Sequence, residues 1–417
     1  MDTTAAFTGL RCTGCGERVV GDQGDEAEVG ASDGESSGSV VVSGRCPDCD
    51  APLDADYDYD ALAADLDRAA FAPRPRDGVW AVDALLPFPA ETAVSVAEGA
   101  TPLVLAPRLT DELGVAGVLV KDEGRNPTGT VLDRGFSVAV TAANAADATD
   151  VAVAEPGDGG QSMGSYAGRA GMRPHSFTPS RSTFLNKAMT NVHGGEMRVV
   201  GGRYPDAVEA LADGWMDDWT DLMPFTTPYR HEGQKSLAWE VAAGTDWDLP
   251  DALVVPTGTG EVLYGVWKGF RELAEVGLVE VGELPRLYAA QPDGCAPIAT
   301  AWERSLDVPE PWGPPDTICG ELEVPDPPGG SLALDALAES EGGAVAVDDE
   351  DALEAAVVAG HHEGLEVSVN AGIAFAGAWE LADEGAFDGD ETVVLVNREA
   401  GVKTADLLRS HLMGQGV

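Results

Sequence analysis

Basic residues are scarce in this sequence. Of its 417 residues, 25 are Lys or Arg and 72 are Asp or Glu, which gives a formal net charge of −47 at pH 7. Nucleic-acid-binding proteins need clustered basic residues to displace the counterions of the phosphates. Anionic membrane surfaces attract cationic segments for a similar reason. The charge therefore predicts that neither nucleic acid nor a membrane surface is a partner.

Lysine is especially rare, and the chain contains only Lys121, Lys187, Lys235, Lys268 and Lys403. The acidic residues are spread along every segment, and apolar runs recur between them, which argues against disorder. A surface this acidic repels itself at low ionic strength and needs screening by salt. We interpret it as adaptation to a high-salt cytoplasm. An acidic protein without that adaptation is the alternative.

Long apolar runs are also missing. No run of about 18 apolar residues occurs, so the sequence predicts no membrane-spanning helix. Residues 1–10 lack the basic and apolar regions of a signal peptide, and six cysteines in a chain of this length are too few for a disulfide scaffold. These absences predict a cytoplasmic protein, and the length predicts two or three domains.

Two Cys-x-x-Cys pairs lie near the N-terminus, Cys12 with Cys15 and Cys46 with Cys49. Each pair presents two thiolates from one tight turn, an arrangement typical of tetrahedral zinc sites. Four thiolates leave no open coordination position, so we predict a structural zinc ribbon rather than a catalytic metal. Free thiols without a metal are the alternative interpretation.

Strand-like and helical patterns alternate from about residue 79 onwards. The strand-like runs are residues 117–120, 151–154, 197–200, 252–255, 287–290, 344–347 and 392–396, with 18–20 and 39–42 in the N-terminal segment. The helical patterns cover residues 135–146, 162–170, 232–243, 263–274 and 349–361. Continuous apolar strands separated by helices predict an α/β fold with a parallel sheet covered on both faces.

Four loops that follow predicted strands carry glycine and polar residues: residues 121–135, 155–162, 256–261 and 396–401. In doubly wound folds, ligands bind beyond the carboxyl ends of the strands, often at helix N-termini. We therefore expect these loops to form the ligand site.

With these loops, the sequence resembles threonine synthases, which are fold-type II pyridoxal-phosphate enzymes. The resemblance covers nearly the whole chain and is most specific at residues 121–135, 166–171, 231–235 and 267–270. It implies conversion of O-phosphohomoserine to threonine by a lyase that depends on pyridoxal phosphate (PLP).

The resemblance also implies a division of the chain. Residues 1–75 are expected to form the zinc-ribbon-like segment and linker, and residues 76–417 the PLP-enzyme-like body. That body is expected to have fold-type II architecture with two parallel-sheet domains. The smaller domain is an insert at about residues 129–225.

The first loop departs from the family at its most important position. In the family, the pattern Asn-Pro-Thr-Gly-Ser-Phe-Lys-Asp-Arg-Gly supplies the lysine that forms the Schiff base with PLP. The aligned residue here is Leu132. Covalent cofactor chemistry requires a placed amine, so the resemblance implies that no Schiff base forms at this position.

Two further loops depart from the family at cofactor contacts. Asp158 aligns with an Asn that hydrogen-bonds the ring oxygen of PLP, so a carboxylate is expected beside a phenolate. Val396 aligns with a Ser or Thr whose hydroxyl contacts the pyridine nitrogen. Neither replacement provides the family's hydrogen bond.

The third loop, Gly258-Thr259-Gly260-Glu261, aligns with the glycine-rich loop whose N–H groups hold the cofactor phosphate. The glycines remain compatible with an anion-binding nest. Glu261, however, is expected to place a carboxylate near the phosphate dianion, and two like charges weaken binding.

Losses at all four loops, in a scaffold that is otherwise retained, indicate a pseudoenzyme. We therefore expect a threonine-synthase-like paralogue without covalent PLP catalysis. We expect it to bind a small amino-acid-like ligand or to act as a regulator, as a homodimer or paired with an active paralogue.

Two enzymatic alternatives remain open at the level of sequence. One is an active PLP-dependent threonine synthase that uses another of the five lysines. The other is a serine hydrolase, because Ser162 lies in the pattern Gly160-Gln161-Ser162-Met163-Gly164, which matches the G-x-S-x-G nucleophile motif. His231 or His361 would then be the base.

Overall fold

The computed structural model describes residues 3–19, 44–72, 74 and 76–414 of the chain. In chain order, its strands are β1 (Phe7–Cys12), β2 (Arg18–Val19), β3 (Leu53–Tyr57), β4 (Leu103–Leu105), β5 (Gly117–Asp122), β6 (Asp150–Ala154), β7 (Arg173–Pro179), β8 (Glu196–Val200), β9 (Trp219–Asp221), β10 (Ala252–Pro256), β11 (Arg286–Pro292), β12 (Gly343–Val347) and β13 (Thr392–Asn397). The strand-like run at residues 39–42 lies outside the described residues.

The α-helices alternate with these strands. In chain order, they are α1 (Tyr59–Asp65), α2 (Pro107–Leu113), α3 (Leu132–Ala145), α4 (Asp158–Ala170), α5 (Phe184–Val192), α6 (Tyr204–Asp213), α7 (Tyr229–Gln234), α8 (Ser236–Gly244), α9 (Glu261–Glu275), α10 (Pro297–Glu303), α11 (Gly330–Glu339), α12 (Asp349–Glu363), α13 (Val369–Asp383) and α14 (Ala405–Gly414). Short 3₁₀ turns are Arg68–Phe71, Gly78–Leu85, Ala90–Thr92, Glu123–Arg125, Val281–Glu283, Asp293–Cys295, Gly320–Leu322 and Gly401–Thr404.

The strands form three sheets. The N-terminal sheet is antiparallel, in the order β2-β1-β3, and the largest sheet has the order β12-β11-β10-β13-β5-β4. The third sheet has the order β8-β7-β6-β9 and is entirely parallel. The predicted α/β fold with parallel sheets is thus confirmed. The antiparallel pairing of β4 with β5 at one edge was not predicted.

Burial explains why the inner strands are continuously apolar. Strands β6 and β10 are buried along their whole length, and helices cover the faces of both parallel sheets. Helix α13 packs on β10, β12 and β13 of the six-stranded sheet. The four-stranded sheet runs from Asp150 to Asp221, within the range expected for the insert, although the boundaries of that insert remain a prediction.

Close helix packing fixes the position of the first loop. Helix α3 crosses α7 at Gly233, where an added Cβ would lie 2.0 Å from the carbonyl oxygen of Arg134. Only glycine allows this approach, so the start of α3 is held firmly against the body. Among the described residues, no helix is long and apolar enough to cross a membrane.

Candidate functional site

The ends of the strands in the two parallel sheets enclose a small cavity of about 30 Å³. Its wall includes Leu132, Asp158 and the loop 258–261, so the structure brings together three of the four predicted cofactor contacts. Val396 does not line it, because that residue is buried within β13. Arg398, two residues later, reaches the cavity instead.

A larger surface groove of about 1070 Å³ lies elsewhere, lined by residues 246–251, 281–284 and 286 together with Glu391. These residues adjoin the amino ends of β10, β11 and β13. Ligands of parallel sheets bind at the carboxyl ends of the strands. The small cavity is therefore the better candidate for the functional site.

Leu132 is the first residue of helix α3 and is 6% exposed. Its side chain lines the cavity, and its N–H donates to Thr130 Oγ1 at 3.3 Å. The position thus faces the site as the family alignment implies, but it offers no nucleophile.

Glu261, the first residue of helix α9, occupies the expected phosphate end of the cavity. Its Oε2 lies 2.8 Å from Arg230 Nη2, and Arg230 Nη1 also donates to Glu155 Oε1 at 2.6 Å. All three side chains are buried. Burial, together with the charge of Glu261, raises the pKa of Glu155 to about 7. The guanidinium of Arg230 is therefore already shared by two acids.

Asp158 begins helix α4 and is fully buried. Neither of its carboxylate oxygens has a hydrogen-bond partner among the described residues, and Arg398 Nη1 is 3.7 Å from Oδ2. Burial alone would raise the pKa of Asp158, but the charges of Arg398 and Lys403 outweigh it and hold that pKa below its usual range.

Two further acids lie beside Asp158: Glu399, which belongs to the predicted loop 396–401, and Glu321, which sequence reasoning missed. Single carboxylate oxygens of Asp158, Glu321 and Glu399 lie within 4.8 Å of one another. Burial and the neighbouring acids raise the pKa of Glu321 well above its ordinary value and that of Glu399 to about 7. Glu321 comes from the turn Gly320–Leu322, which no motif marks, so the sequence carried no signal for it.

The residues present do not fit PLP. The cavity holds about two water molecules, far less than a substituted pyridine ring with its phosphate. Its wall carries buried carboxylates where the family places neutral groups, and these disfavour a phosphate dianion. No described lysine side chain lines it.

The buried lysines are engaged elsewhere. Lys121 Nζ donates to Glu240 at 2.6 Å, Lys235 Nζ lies 2.7 Å from Glu232, and Lys268 Nζ donates to Asp54 at 2.6 Å. The positive charge of Lys403 acts on the acids at the cavity, since it lowers the pKa of Asp158 and of Glu399. Its Nζ donates to Gln161 Oε1 at 3.0 Å and Asn186 Oδ1 at 3.4 Å.

Ser162 lies inside helix α4 and not at a strand-to-helix turn. Its hydroxyl donates to Asp133 Oδ1 at 2.6 Å, and its side chain is fully buried. The ring of His231 instead hydrogen-bonds Asp54 of the N-terminal sheet, and His361 lies near the end of α12. The structure thus does not assemble the serine–histidine pair that a hydrolase needs.

The four N-terminal cysteines converge as predicted from their spacing. Cys12 Sγ lies 3.4 Å from Cys49 Sγ, and Cys15 Sγ lies 3.7 Å from Cys46 Sγ. Ligands of a tetrahedral zinc with Zn–S bonds of about 2.3 Å lie about 3.8 Å apart. The N–H of Gly14 donates to Cys12 Sγ at 3.3 Å. The four thiols therefore fit a zinc ion.

The family-specific stretches near residues 231 and 268 face this N-terminal sheet rather than the cavity. Asp54 on β3 accepts from Lys268 Nζ at 2.6 Å, Tyr264 Oη at 2.8 Å and His231 Nε2 at 2.9 Å. Tyr57 Oη donates to Glu232 Oε2 at 2.5 Å. These stretches thus join the N-terminal segment to the body.

A family model described as "Pyridoxal-phosphate dependent enzyme" matches residues 94–399. The chain belongs to this family. It is 33% identical to the threonine synthase of Methanocaldococcus jannaschii over 361 residues, which covers 86% of the chain and 88% of that relative. It is 32% identical to the threonine synthase of Methanosarcina acetivorans, covering 84% and 85%. PLP is thus the cofactor of the family.

Solved structures share the family's fold. A fungal L-serine ammonia-lyase from Rhizomucor miehei matches with a TM-score of 0.65 and 20% identity, over 77% of this chain and 99% of that one. Maize serine racemase matches with a TM-score of 0.62 and 17% identity, over 76% and 94%. At these identities, the likeness establishes the architecture of the body and nothing about its substrate.

Proposed function

We propose that this chain is a threonine-synthase-like protein that has lost covalent PLP catalysis and acts as a noncatalytic ligand-binding or regulatory homologue. The observation that carries the proposal is Leu132 in the cavity wall, at the head of helix α3. The buried carboxylates of Glu155, Asp158 and Glu261 support it, because they disfavour an anionic cofactor.

Absorption spectroscopy of the full chain in high salt tests this proposal. PLP is added, the visible aldimine band is recorded, and borohydride is used to fix any Schiff base to its lysine for mass spectrometry. We expect no band and no modified lysine. A band that is lost when one particular lysine is substituted would refute the proposal.

Lys403 is the lysine to test for the active-enzyme alternative, because its charge acts on the acids of the cavity. We expect Lys403→Arg to leave the spectrum with PLP unchanged. Lys187→Arg is the matched control, since Lys187 Nζ donates to Ser180 O at the surface. A difference between these two variants would support the active-enzyme alternative.

Restoring the family lysine should not restore the enzyme. We expect Leu132→Lys to form no threonine from O-phosphohomoserine, because Asp158 and Glu261 still oppose the cofactor. Full activity from this single change would show that the other replacements are harmless.

We propose that the ligand is a small amino-acid-like molecule. A groove of about 260 Å³ opens beside the cavity and carries Arg203, Glu323 and Asn370 in its wall. Arg203 Nη1 donates to Glu323 Oε2 in this wall. The carboxylate and the ammonium of a zwitterion would replace this pair with one partner for each of the two charges. Amino acids that raise the melting temperature of the wild type, but not of Arg203→Met, would support this, and no shift with any amino acid would contradict it.

We propose further that the protein works in a high-salt cytoplasm as a homodimer or paired with an active paralogue. Light scattering of the chain, alone and mixed with an active threonine synthase, tests both assemblies. A monomer in both samples would contradict them.

We also propose that Cys12, Cys15, Cys46 and Cys49 bind one structural zinc ion. Sulfur separations of 3.4 and 3.7 Å support it. Elemental analysis should find one zinc per chain, reduced to background by Cys12→Ser and Cys46→Ser but unchanged by Cys295→Ser. Less than one zinc per chain in carefully prepared protein would contradict the site.

A further inference from the structure

Asp158, Glu321 and Glu399 form a compact group, which we call the acid triad. One carboxylate oxygen of each lies within 4.8 Å of the other two, and all three side chains are buried. They come from the start of helix α4, the turn Gly320–Leu322 and the segment after β13. Three separate segments thus direct acids to one point inside the body.

Hydrogen bonds fix two members of the triad. Glu321 Oε1 accepts from Asn186 Nδ2 at 2.9 Å and from the N–H of Asp158 at 3.1 Å. Glu399 Oε1 accepts from Asn370 Nδ2 at 2.5 Å. Glu321 Oε2 also accepts from the N–H of Asp158 at 3.2 Å, and Glu399 Oε2 pairs with Arg398 Nη1 at 3.2 Å. These contacts hold both carboxylates in place beside Asp158.

The surroundings of Asp158, the third member of the triad, point to a ligand. Asp158 is fully buried, and both of its carboxylate oxygens lack a hydrogen-bond partner in the part of the chain that the structure describes. A buried carboxylate with an ion pair at 3.7 Å but no hydrogen bond is costly. A cation at the centre of the triad would satisfy it.

The charge balance around the triad indicates the sign of the ligand's charge. Arg398 Nη1 contacts the triad, at 3.2 Å from Glu399 Oε2 and 3.7 Å from Asp158 Oδ2. Three carboxylates and one guanidinium leave two negative charges when all are ionised. Lys403 adds a nearby positive charge, but it donates to Gln161 and Asn186 and not to the triad. The net negative charge that remains around the triad favours a cation.

We propose that the acid triad binds a divalent cation of the hard, oxygen-preferring class, such as Mn²⁺, Mg²⁺ or Ca²⁺. These ions favour carboxylate ligands and retain water molecules in the remaining positions. Glu321 borders both the cavity and the 260 Å³ groove, which gives the ion a route from solvent. The site depends on the proposed loss of bound PLP, because a cofactor would occupy the same cavity.

Titration of the full, zinc-loaded chain with Mn²⁺ in concentrated KCl tests the site, with free Mn²⁺ read by electron paramagnetic resonance. We expect one Mn²⁺ to bind per chain. Asp158→Asn and Glu399→Gln should each weaken binding at least tenfold. Glu261→Gln is the matched control, since Glu261 lines the same cavity but pairs with Arg230, and this change should weaken binding less than threefold.

Each other outcome overturns the proposal. No saturable binding in KCl would mean that surface acids alone attract the ion, and equal losses in all three variants would mean a diffuse acidic cavity. If Asp158→Asn does not fold, Glu399→Gln decides the result. The readout is independent of the PLP spectrum. An aldimine band would refute the proposed function, whereas missing Mn²⁺ binding without such a band refutes only the triad site.

Discussion

Two buried charge networks in this molecule differ in balance. Around Arg134, the guanidinium donates to Glu123 and Glu240 at 2.7–2.8 Å, and Lys121 also pairs with Glu240 at 2.6 Å. Two cations face two acids there. In the cavity, the carboxylates outnumber the cations, and Asp158 has no hydrogen-bond partner among the described residues. The balanced network joins segments of the fold, whereas the unbalanced one lies where we propose that the cofactor site has been lost.

The largest effect is expected from breaking the balanced network. Arg134→Met leaves the buried Glu123 and the partly buried Glu240 without their main partner, so the free energy of unfolding should fall by about 3–5 kcal/mol. Chemical denaturation in high salt measures this loss. Arg125→Met is the control, because Arg125 is exposed and its pair with Asp122 is worth less than about 1 kcal/mol. Similar losses in both variants would contradict the assigned role.

A smaller loss is expected where the N-terminal sheet joins the body. Asp54→Asn keeps the shape but weakens the bonds from His231, Lys268 and Tyr264, so stability should fall by about 1.5–3 kcal/mol. Asp56→Asn, on the same strand, removes only pairs with partly exposed arginines and should cost less than about 1 kcal/mol. Thermal or chemical unfolding measures the stability lost in each variant. Equal losses would show that the contacts of Asp54 contribute no more than those of Asp56.

The same junction should respond to pH. Burial raises the pKa of Glu272 from 4.5 to about 7, although Lys235 partly offsets it. The folded state therefore binds this proton more tightly than the unfolded state, and stability should fall as pH rises from about 4.5 to 7, by up to about 1.4 kcal/mol per pH unit for one proton.

Glu272→Gln should remove that slope. The control is Glu275→Gln, which changes an exposed residue one turn later on helix α9. Unfolding free energies measured at several pH values provide the test. A slope unchanged in Glu272→Gln would assign the titration to another group.

The smallest effect is expected in the unbalanced cavity. In protein free of divalent ions, Asp158→Asn removes a buried charge that Arg398 and Lys403 favour but that lacks a hydrogen-bond partner, so stability should fall by only about 1 kcal/mol. Glu123→Gln, the same kind of change in the balanced network, should cost several times more because it leaves Arg134 poorly paired. A comparable loss in both would remove the distinction between the networks.

Much of the fold could be predicted from local pattern. The apolar runs of β10 and β13 and the helical pattern of α9 all appear where expected. Strand β7 was missed because His175, Ser176 and Thr178 interrupt its apolar character, although these side chains are buried. The helix expected at residues 232–243 is divided at Lys235 into α7 and α8, a break that no glycine or proline marks.

The candidate site was only partly predictable. Leu132 and Asp158 could be placed because they stand in recognisable motifs. Val396 was assigned to the cofactor on alignment, but within β13 it is fully buried and does not line the cavity. Arg230 and Glu321 could not be foreseen, because they come from distant segments and meet the cavity only through tertiary packing.

The contacts of Arg134 also constrain the order of assembly. The four-stranded sheet lies between its partners in the sequence: Thr101 and Glu123 precede the sheet, and Ser236 and Glu240 follow it. A chain emerging from the ribosome cannot complete this network until residue 240 has been made, because no earlier segment supplies Ser236 or Glu240. We therefore expect the intervening sheet to form first and the larger sheet to close around it late in synthesis.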